Sequence, residues 1–333
     1  MNKSISCGDN HSVALRDTGT IECWGDNRWN QCDRVYKTFT NIINVTCGDF
    51  HSVALKEDGT LECWGDNEFN QCNPVYKTFT GVIDVACGRN HSVALKEDGT
   101  IECWGDNHTN QCDPVYKTFT QIISVDCGYF HSVALKSNGT LECWGNNAWN
   151  QCDLVYKNFT DVINVACGEN HSVALKSDGT IECWGNNRFN QCDLVYKSFT
   201  SVIDVACGNN HSVVLKYDGT LECWGDNYHK QCDLVYRTFT GIINVACGEY
   251  HSVALKSDGT LDCWGDNEHY QCDPVYKTFT GVINVVCGYF HSIVLRNDGT
   301  LECWGSITPN EFDPVYKTFT NIRVPQNNDY ILK

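Results

Sequence analysis

The residues with the most chemical potential keep fixed company along this chain. A His-Ser pair recurs at His11, His51, His91, His131, His171, His211, His251 and His291, and 23 cysteines are spread through the same 333 residues. Histidine with serine could supply a base and a nucleophile, and histidine with cysteine could hold zinc. The spacing argues against both. Neighbouring residues on a strand point to opposite faces, so the His and Ser of one pair cannot act on each other. The cysteine intervals, such as Cys7 to Cys23 and Cys23 to Cys32, match no zinc pattern. Acidic residues such as Glu22, Glu62 and Glu102 recur at equivalent places, whereas an active site needs local asymmetry. The glycines end strands or make turns, and none forms a phosphate-cradling loop. The expectation is a non-enzyme without catalytic, cofactor-binding or metal-binding residues, in which each His opens a strand and bonds to neighbouring backbone.

The cysteines follow the same order: three per unit, with Phe312 replacing the third in the last unit. A position that accepts Phe fills apolar space, so buried free thiols acting as small hydrophobes are the favoured reading. Disulfides joining Cys23 to Cys32 and their equivalents are the alternative, each closing a loop of about ten residues.

What positions all of these residues is a unit of forty residues, repeated without insertion or deletion over 1–40, 41–80, 81–120, 121–160, 161–200, 201–240, 241–280 and 281–320, with a tail at 321–333. A fixed period in this range marks a repeat architecture. In residues 41–80, Ile42 to Cys47 reads as a buried β-branched strand and His51 to Leu55 as a second. Asp58-Gly59 reads as a hairpin turn, and Thr60 to Gly65 as a third strand. Val75 to Thr80 adds a candidate outer strand, and no window has a helical apolar stripe. So small a sheet cannot bury both faces alone. Eight arranged radially can, with the Trp, Tyr and Phe of each unit packing between neighbours, which predicts an all-β, closed β-propeller of eight blades in a single domain over 1–333. An open superhelical stack would expose two apolar ends and call for polar terminal repeats. The first repeat is ordinary and the last departs only from Ser306 to Phe312. Asn321-Ile322-Arg323-Val324 aligns with Asn41-Ile42-Ile43-Asn44, so the tail is expected to complete or flank the first blade.

The pattern CG-x-x-HSVAL-x-x-DGT-x-x-CWG-x-N closely resembles the repeat of the regulator of chromosome condensation family, over every residue but the tail. The short period is similar to that of propeller-type β-lactamase inhibitor proteins and of repeat proteins of large DNA viruses. The resemblance implies a propeller; family propellers usually have seven blades, so seven is the alternative to eight. It also implies an alternative function, guanine nucleotide exchange on a small GTPase. The family's exchange protein uses a wedge inserted in one blade, and no insertion occurs here. Family chromatin docking relies on a basic flexible tail, whereas Met1 to Ile5 carries only Lys3. What the resemblance leaves is a rigid scaffold that presents loops to a protein partner.

Charge narrows the partner. The formal net charge is −17, from 41 acidic and 24 basic residues, which argues against direct nucleic-acid binding. Basic residues recur at Arg16, Lys56, Lys96, Lys136, Lys176, Lys216, Lys256 and Arg296, and again from Lys37 to Lys317, but interleaved with Asp and Glu. No signal-peptide pattern or membrane span is read, so the expected setting is intracellular, in cytoplasm or nucleus, host cytoplasm or a virus particle.

Two positions vary while the frame holds. One follows Cys-Gly and includes Phe50, Tyr129, Phe130, Tyr250, Tyr289 and Phe290; the other follows the Trp-Gly turn and includes Trp29, Phe69, Trp149, Phe189 and Tyr228. If the strands run antiparallel, both loops share one end of the sheets and the Asp-Gly turns share the other. Aromatics gathered on loop tips suit an interface. The eleven residues just named are therefore the candidate partner-binding set.

Overall fold

The computed structural model describes residues 4–32, 39–73, 79–113, 119–153, 159–193, 199–233, 239–272, 280–306 and 317–325. The regular structure among them is β-strand, and each repeat forms its own antiparallel sheet with strands bonded in chain order. In the second repeat the strands are Ile42–Cys47, His51–Lys56 and Leu61–Gly65. Cys47 pairs with Ser52, and Ser52 in turn with Trp64. The turn at Asp58-Gly59 is closed by Gly59 N–H donating to the Lys56 carbonyl (3.0 Å) and Lys56 N–H donating to the Thr60 carbonyl (2.9 Å). Only Gly59 takes a positive φ, 76°, so the hairpin is a tight turn ending in a left-handed glycine bulge. Asp58 Oδ1 accepts from both the Thr60 N–H and hydroxyl, which is why Asp and Asn suit this place.

The chain divides into two compact units, Met1–Val162 and Ile163–Val324. Within each, the core lies between successive sheets. In the first, Trp64 packs with Val13, Leu15 and Phe39 of the preceding repeat; in the second, Trp224 packs with Val173, Leu175 and Phe199. Burying such a side chain stabilises by about 1.5–3 kcal/mol. Trp and Phe thus pack between repeats as the sequence indicates; Tyr36, Tyr76 and their equivalents lie outside the described residues. In the second repeat the middle strand His51–Lys56 is buried on both faces because the sheets of the first and third repeats cover it.

The first strand departs from its reading as fully buried. A bulge shifts the register between Val82 and Asp84, and its counterparts recur in other repeats. The extra residue turns outward, leaving Ile83, Ile123, Ile203 and Ile243 about half exposed. A fourth strand, Lys317–Phe319, pairs with Leu301–Gly305 in the last repeat; most of its equivalents elsewhere lie outside the described residues. In the tail, Ile322 is fully buried and its N–H donates to the Gly299 carbonyl (3.0 Å), as Ile42 does to Gly19 (3.0 Å). The rest of the tail expected to complete or flank the first blade, residues 326–333, lies outside the described residues.

Candidate functional site

The hairpin order places the two variable loops of each repeat side by side. Asp66 N–H donates to the Phe50 carbonyl (2.9 Å), Asn146 to Phe130 (2.8 Å) and Asp266 to Tyr250 (2.9 Å). Gly65, at φ 108°, makes this approach possible: a Cβ there would stand 2.5 Å from the Phe50 carbonyl oxygen.

The second loop is held from within. Asn27 Oδ1 accepts from Cys32 N–H (2.8 Å), Asp26 Oδ1 from Arg28 N–H (3.0 Å), and Gln31 Oε1 from Trp29 N–H (2.8 Å). Gln31 is fully buried, and its carbonyl accepts the indole N–H of Trp64 from the next repeat at 2.8 Å. The bond recurs from Trp104 to Gln71, Trp144 to Gln111, Trp224 to Gln191 and Trp264 to Gln231. This glutamine is a pivot that sequence reasoning passed over; its recurrence in the first seven repeats was the available signal.

A second network lies beneath the loops. His11 Nε2 meets Ser52 Oγ at 2.7 Å, and the pairing repeats at 2.8 Å for His51–Ser92 and His91–Ser132 in the first unit and for His171–Ser212, His211–Ser252 and His251–Ser292 in the second. The side-chain partner is the serine of the next repeat, which adds to the expected backbone bond that His11 makes to Asp49 and His171 to Asn209. His and Ser do meet after all, across repeats, because the sheets stack face to face. Every one of these side chains is sealed from solvent, which leaves no access for a substrate. Burial pushes the imidazoles down, to about 4 at His11, His91 and His171 and about 3 at His51, His211 and His251. They are neutral structural members. Gly48 belongs to this network through close approach: a Cβ there would stand 2.4 Å from both the Gly88 carbonyl and the His51 ring.

The cysteines follow both readings. Cys143 and Cys152 form a disulfide, with Cα atoms 5.0 Å apart, which corrects the free-thiol expectation at that pair. The equivalent pairs Cys23–Cys32, Cys63–Cys72 and Cys183–Cys192 are thiols with sulfurs 2.9–3.0 Å apart. Burial pushes the Cys23 and Cys63 thiols far up, so they are poor nucleophiles. At the Asp-Gly end, Arg16 pairs with Glu22 (2.8 Å), and Lys56, Lys96 and Lys136 pair with Glu62, Glu102 and Glu142. Those basic residues are internally matched. The side chains of the second basic set lie outside the described residues.

The candidate residues occupy the loop end as follows. Tyr228 is 86% exposed; Trp29, Trp149 and Phe189 are nearly half exposed. Phe50, Phe69, Tyr129, Phe130, Tyr250, Tyr289 and Phe290 are half-buried. In the first unit Phe69 meets the His108 ring edge-on, and the Arg89 guanidinium lies 5.8 Å from the ring centres of both Tyr129 and Phe130. In the second unit Arg188 lies 5.9 Å from the Phe189 ring. A continuous series of ring contacts there runs Tyr228–His229–Tyr250–Tyr289–Phe290–His269, with centres 4.2–6.0 Å apart. The histidines of this series, His229 and His269, were not among the eleven candidate residues. Lys230 and Tyr270 adopt left-handed backbone, φ 64° and 62°, at the place where Asn30, Asn70, Asn110, Asn150 and Asn190 stand in other repeats. Among the described residues, no group of three or more His, Cys, Asp or Glu is arranged to hold a metal ion, and no helix is long and apolar enough to cross a membrane.

The family model of the regulator of chromosome condensation (RCC1) repeat matches residues 3–31, 42–71, 82–111, 122–151, 162–191, 202–231, 242–271 and 282–306. No curated protein matches the sequence. Solved structures similar to this chain include the CRINKLY WD40 ectodomain of the Arabidopsis thaliana receptor kinase ACR4, at 22% identity and a TM-score of 0.57, covering 79% of this chain and 97% of that one. Human WBSCR16 is 20% identical with a TM-score of 0.55, covering 89% and 86%. A structure of Kap60 bound to yeast RCC1 (Prp20) gives 19% identity, a TM-score of 0.51, and coverage of 93% and 79%. At these identities the likeness is one of fold: all-β, with eight repeats that each form a small antiparallel sheet of the propeller-blade kind.

Proposed function

The chain belongs to the regulator of chromosome condensation (RCC1) repeat family, and from that premise we propose that it is a non-enzymatic interaction scaffold that holds a protein partner on its loop end. The observation that carries this reading is the division of labour within each repeat. Asp or Asn, Asn and Gln side chains hold the loop backbone from inside, and the positions between them display Trp, Phe, Tyr, Arg and His outward. Large aromatics exposed on a rigid frame suit an interface, because little conformational entropy is lost when they are covered. Phe50, Trp29, Phe69, Tyr129, Phe130, Trp149, Phe189, Tyr228, Tyr250, Tyr289 and Phe290 form the proposed contact set. The intracellular setting expected from the sequence belongs to the same proposal.

Affinity capture from the source cells tests it. Tyr129→Ser with Phe130→Ser and Trp149→Ser should lose the partner while the thermal melt falls only slightly, through loss of the Arg89 stacking. A control altered at Lys136 and Asn138, at the Asp-Gly end, should retain it. Equal capture by both proteins sinks the reading. A nucleotide-release assay against a panel of small GTPases tests the alternative, exchange activity, and stimulated release would replace the scaffold reading.

A further inference from the structure

Building on the reading of the loop end as a partner surface, we infer that the second unit carries a binding site for an arginine side chain of the partner, formed by Tyr289, Phe290, Tyr250 and the Glu249 carboxylate. The dipeptide Tyr-Phe occurs in the same loop position in both units, at Tyr129-Phe130 and Tyr289-Phe290. In the first unit the protein itself shows what such a pair accepts. Arg89, from the same position one repeat earlier, donates its backbone N–H to the Tyr129 carbonyl (3.2 Å) and sets its guanidinium 5.8 Å from both ring centres. Its Nε lies 3.5 Å from the Asp49 carboxylate. Electron-rich rings and a carboxylate together favour a planar cation.

In the second unit the positions of Asp49 and Arg89 are taken by Asn209 and Glu249. Asn209 Nδ2 donates to Glu249 Oε1 at 2.6 Å, and the Tyr250 hydroxyl bonds to the same carboxylate. From Tyr250 the rings continue to Tyr289 (6.0 Å) and Phe290 (4.2 Å). Rings and a carboxylate are therefore both present, and the place of the cation is held by the carboxylate. Among the described residues the cations over aromatic rings are Arg89 and Arg188, neither of them on Tyr289 or Phe290. A guanidinium from outside completes the set that the first unit completes internally. Arginine fits better than lysine, because its flat fork can stack on the rings while bonding the carboxylate edge. Glu169, Asp226, Asp266 and Glu268 on the loops of this unit, in a chain of net charge −17, add attraction for a basic segment.

The test uses a fluorescent peptide of three arginines separated by glycines, with lysine and citrulline counterparts, titrated into the full chain at physiological salt. The arginine peptide should saturate a single site, the lysine peptide should bind more weakly, and the citrulline peptide should not bind. Tyr289→Leu with Phe290→Leu keeps apolar bulk and removes the aromatic faces, and should weaken binding roughly five- to thirtyfold. Glu249→Gln should weaken it comparably. Asp258→Asn makes the same change of charge in an Asp-Gly turn, where Asn138 already stands in another repeat, and should leave affinity unchanged. Glu249→Arg sets an internal guanidinium beside the rings, though with Asn209 in place of the Asp49 carboxylate, and should abolish the site, while Arg89→Ala should open a second. Equal weakening by Glu249→Gln and Asp258→Asn, or full affinity after loss of both rings, overturns the inference, since the peptide would then be sensing bulk charge. If the arginine peptide fails to bind while the Tyr289/Phe290 variant still loses the cellular partner, the arginine site falls and the loop-end reading stands. If neither effect appears and the Tyr129/Phe130/Trp149 variant also keeps the partner, both fall.

Discussion

Beneath the Tyr129-Phe130 loop of the first unit, Asn146 N–H bonds the Phe130 carbonyl at 2.8 Å; beneath Tyr289-Phe290 in the second, Ser306 N–H bonds the Phe290 carbonyl at 2.9 Å. The indole bonds behind them, Trp144 to Gln111 and Trp304 to Gln271, are both 2.9 Å. On this shared footing the tips diverge. The first pair is covered by Arg89 with Asp49 behind it, while the second continues from Tyr250, whose hydroxyl bonds Glu249, in a series of rings that spans three repeats. The difference teaches that the frame does not depend on what the tips carry. Loop backbone is held by buried Gln and by Asn and Asp side chains that recur, so an Arg can be exchanged for a Glu without disturbing the bonds beneath it. In such a design the frame sets stability and the tips set what is bound.

The comparison can be broken first with acid. Burial holds His11, His91 and His171 at about 4 and His51, His211 and His251 at about 3, below the 6.5 of a solvated imidazole. The unfolded chain therefore binds more protons between those values, so this stability is fully present above pH 6.5 and is lost as pH falls toward 3–4. At pH 5 each imidazole accounts for about 2 kcal/mol, and the six together are comparable to the stability of a typical domain, about 5–15 kcal/mol. Both units should unfold between about pH 6 and 4 in circular dichroism. Two separate acid transitions would show that the frames differ.

Matched tryptophan replacements probe the same equivalence. Trp104→Ala and Trp264→Ala should each cost about 3–5 kcal/mol in urea unfolding, because each opens a cavity between sheets and strands a Gln carbonyl. A loss below about 1 kcal/mol at either place would contradict the packing described. Deleting residues 321–333 removes the buried Ile322 and its bond to Gly299, and should cost about 1.5–3 kcal/mol. An unchanged melt would show that the tail contributes nothing to the last repeat.

The smaller effects sharpen the contrast at the tips. Arg89→Ala removes a partly exposed ion pair and its stacking, and should cost about 0.5–1 kcal/mol, lessened by added salt. Glu249→Arg should recover only the stacking part of this in the second unit, because Asn209 stands where the first unit has Asp49. Tyr270→Asn should stabilise by up to about 1 kcal/mol, because Asn bears left-handed backbone more easily than a bulky ring. A destabilised variant would mean that Tyr270 packs usefully in the unbound protein.

Much of this was legible in the residue order. Asp58-Gly59 placed a turn that the structure closes with a left-handed glycine, and the hairpin order set both variable loops at one end. The reading of His51 and Ser52 went astray because it considered a single strand. The exposed Ile83 was hidden for a related reason: a bulge inverts the alternation that β-branched residues advertise.

By itself the sequence determined the period, the strands and the turns, since these follow from backbone preferences acting over a few neighbouring residues. It also determined which positions vary against a constant frame. Tertiary structure alone decided that His51 meets Ser92, that Trp64 bonds the Gln31 carbonyl, and that Arg89 covers Tyr129 while Glu249 accepts a bond from Asn209. Each of these contacts joins one repeat to the next, across 33 to 41 residues in the bonds to Ser92, Gln31 and Asn209. Their geometry is set by how closely two sheets stack and which rotamers fit between them, and no local periodicity encodes that distance.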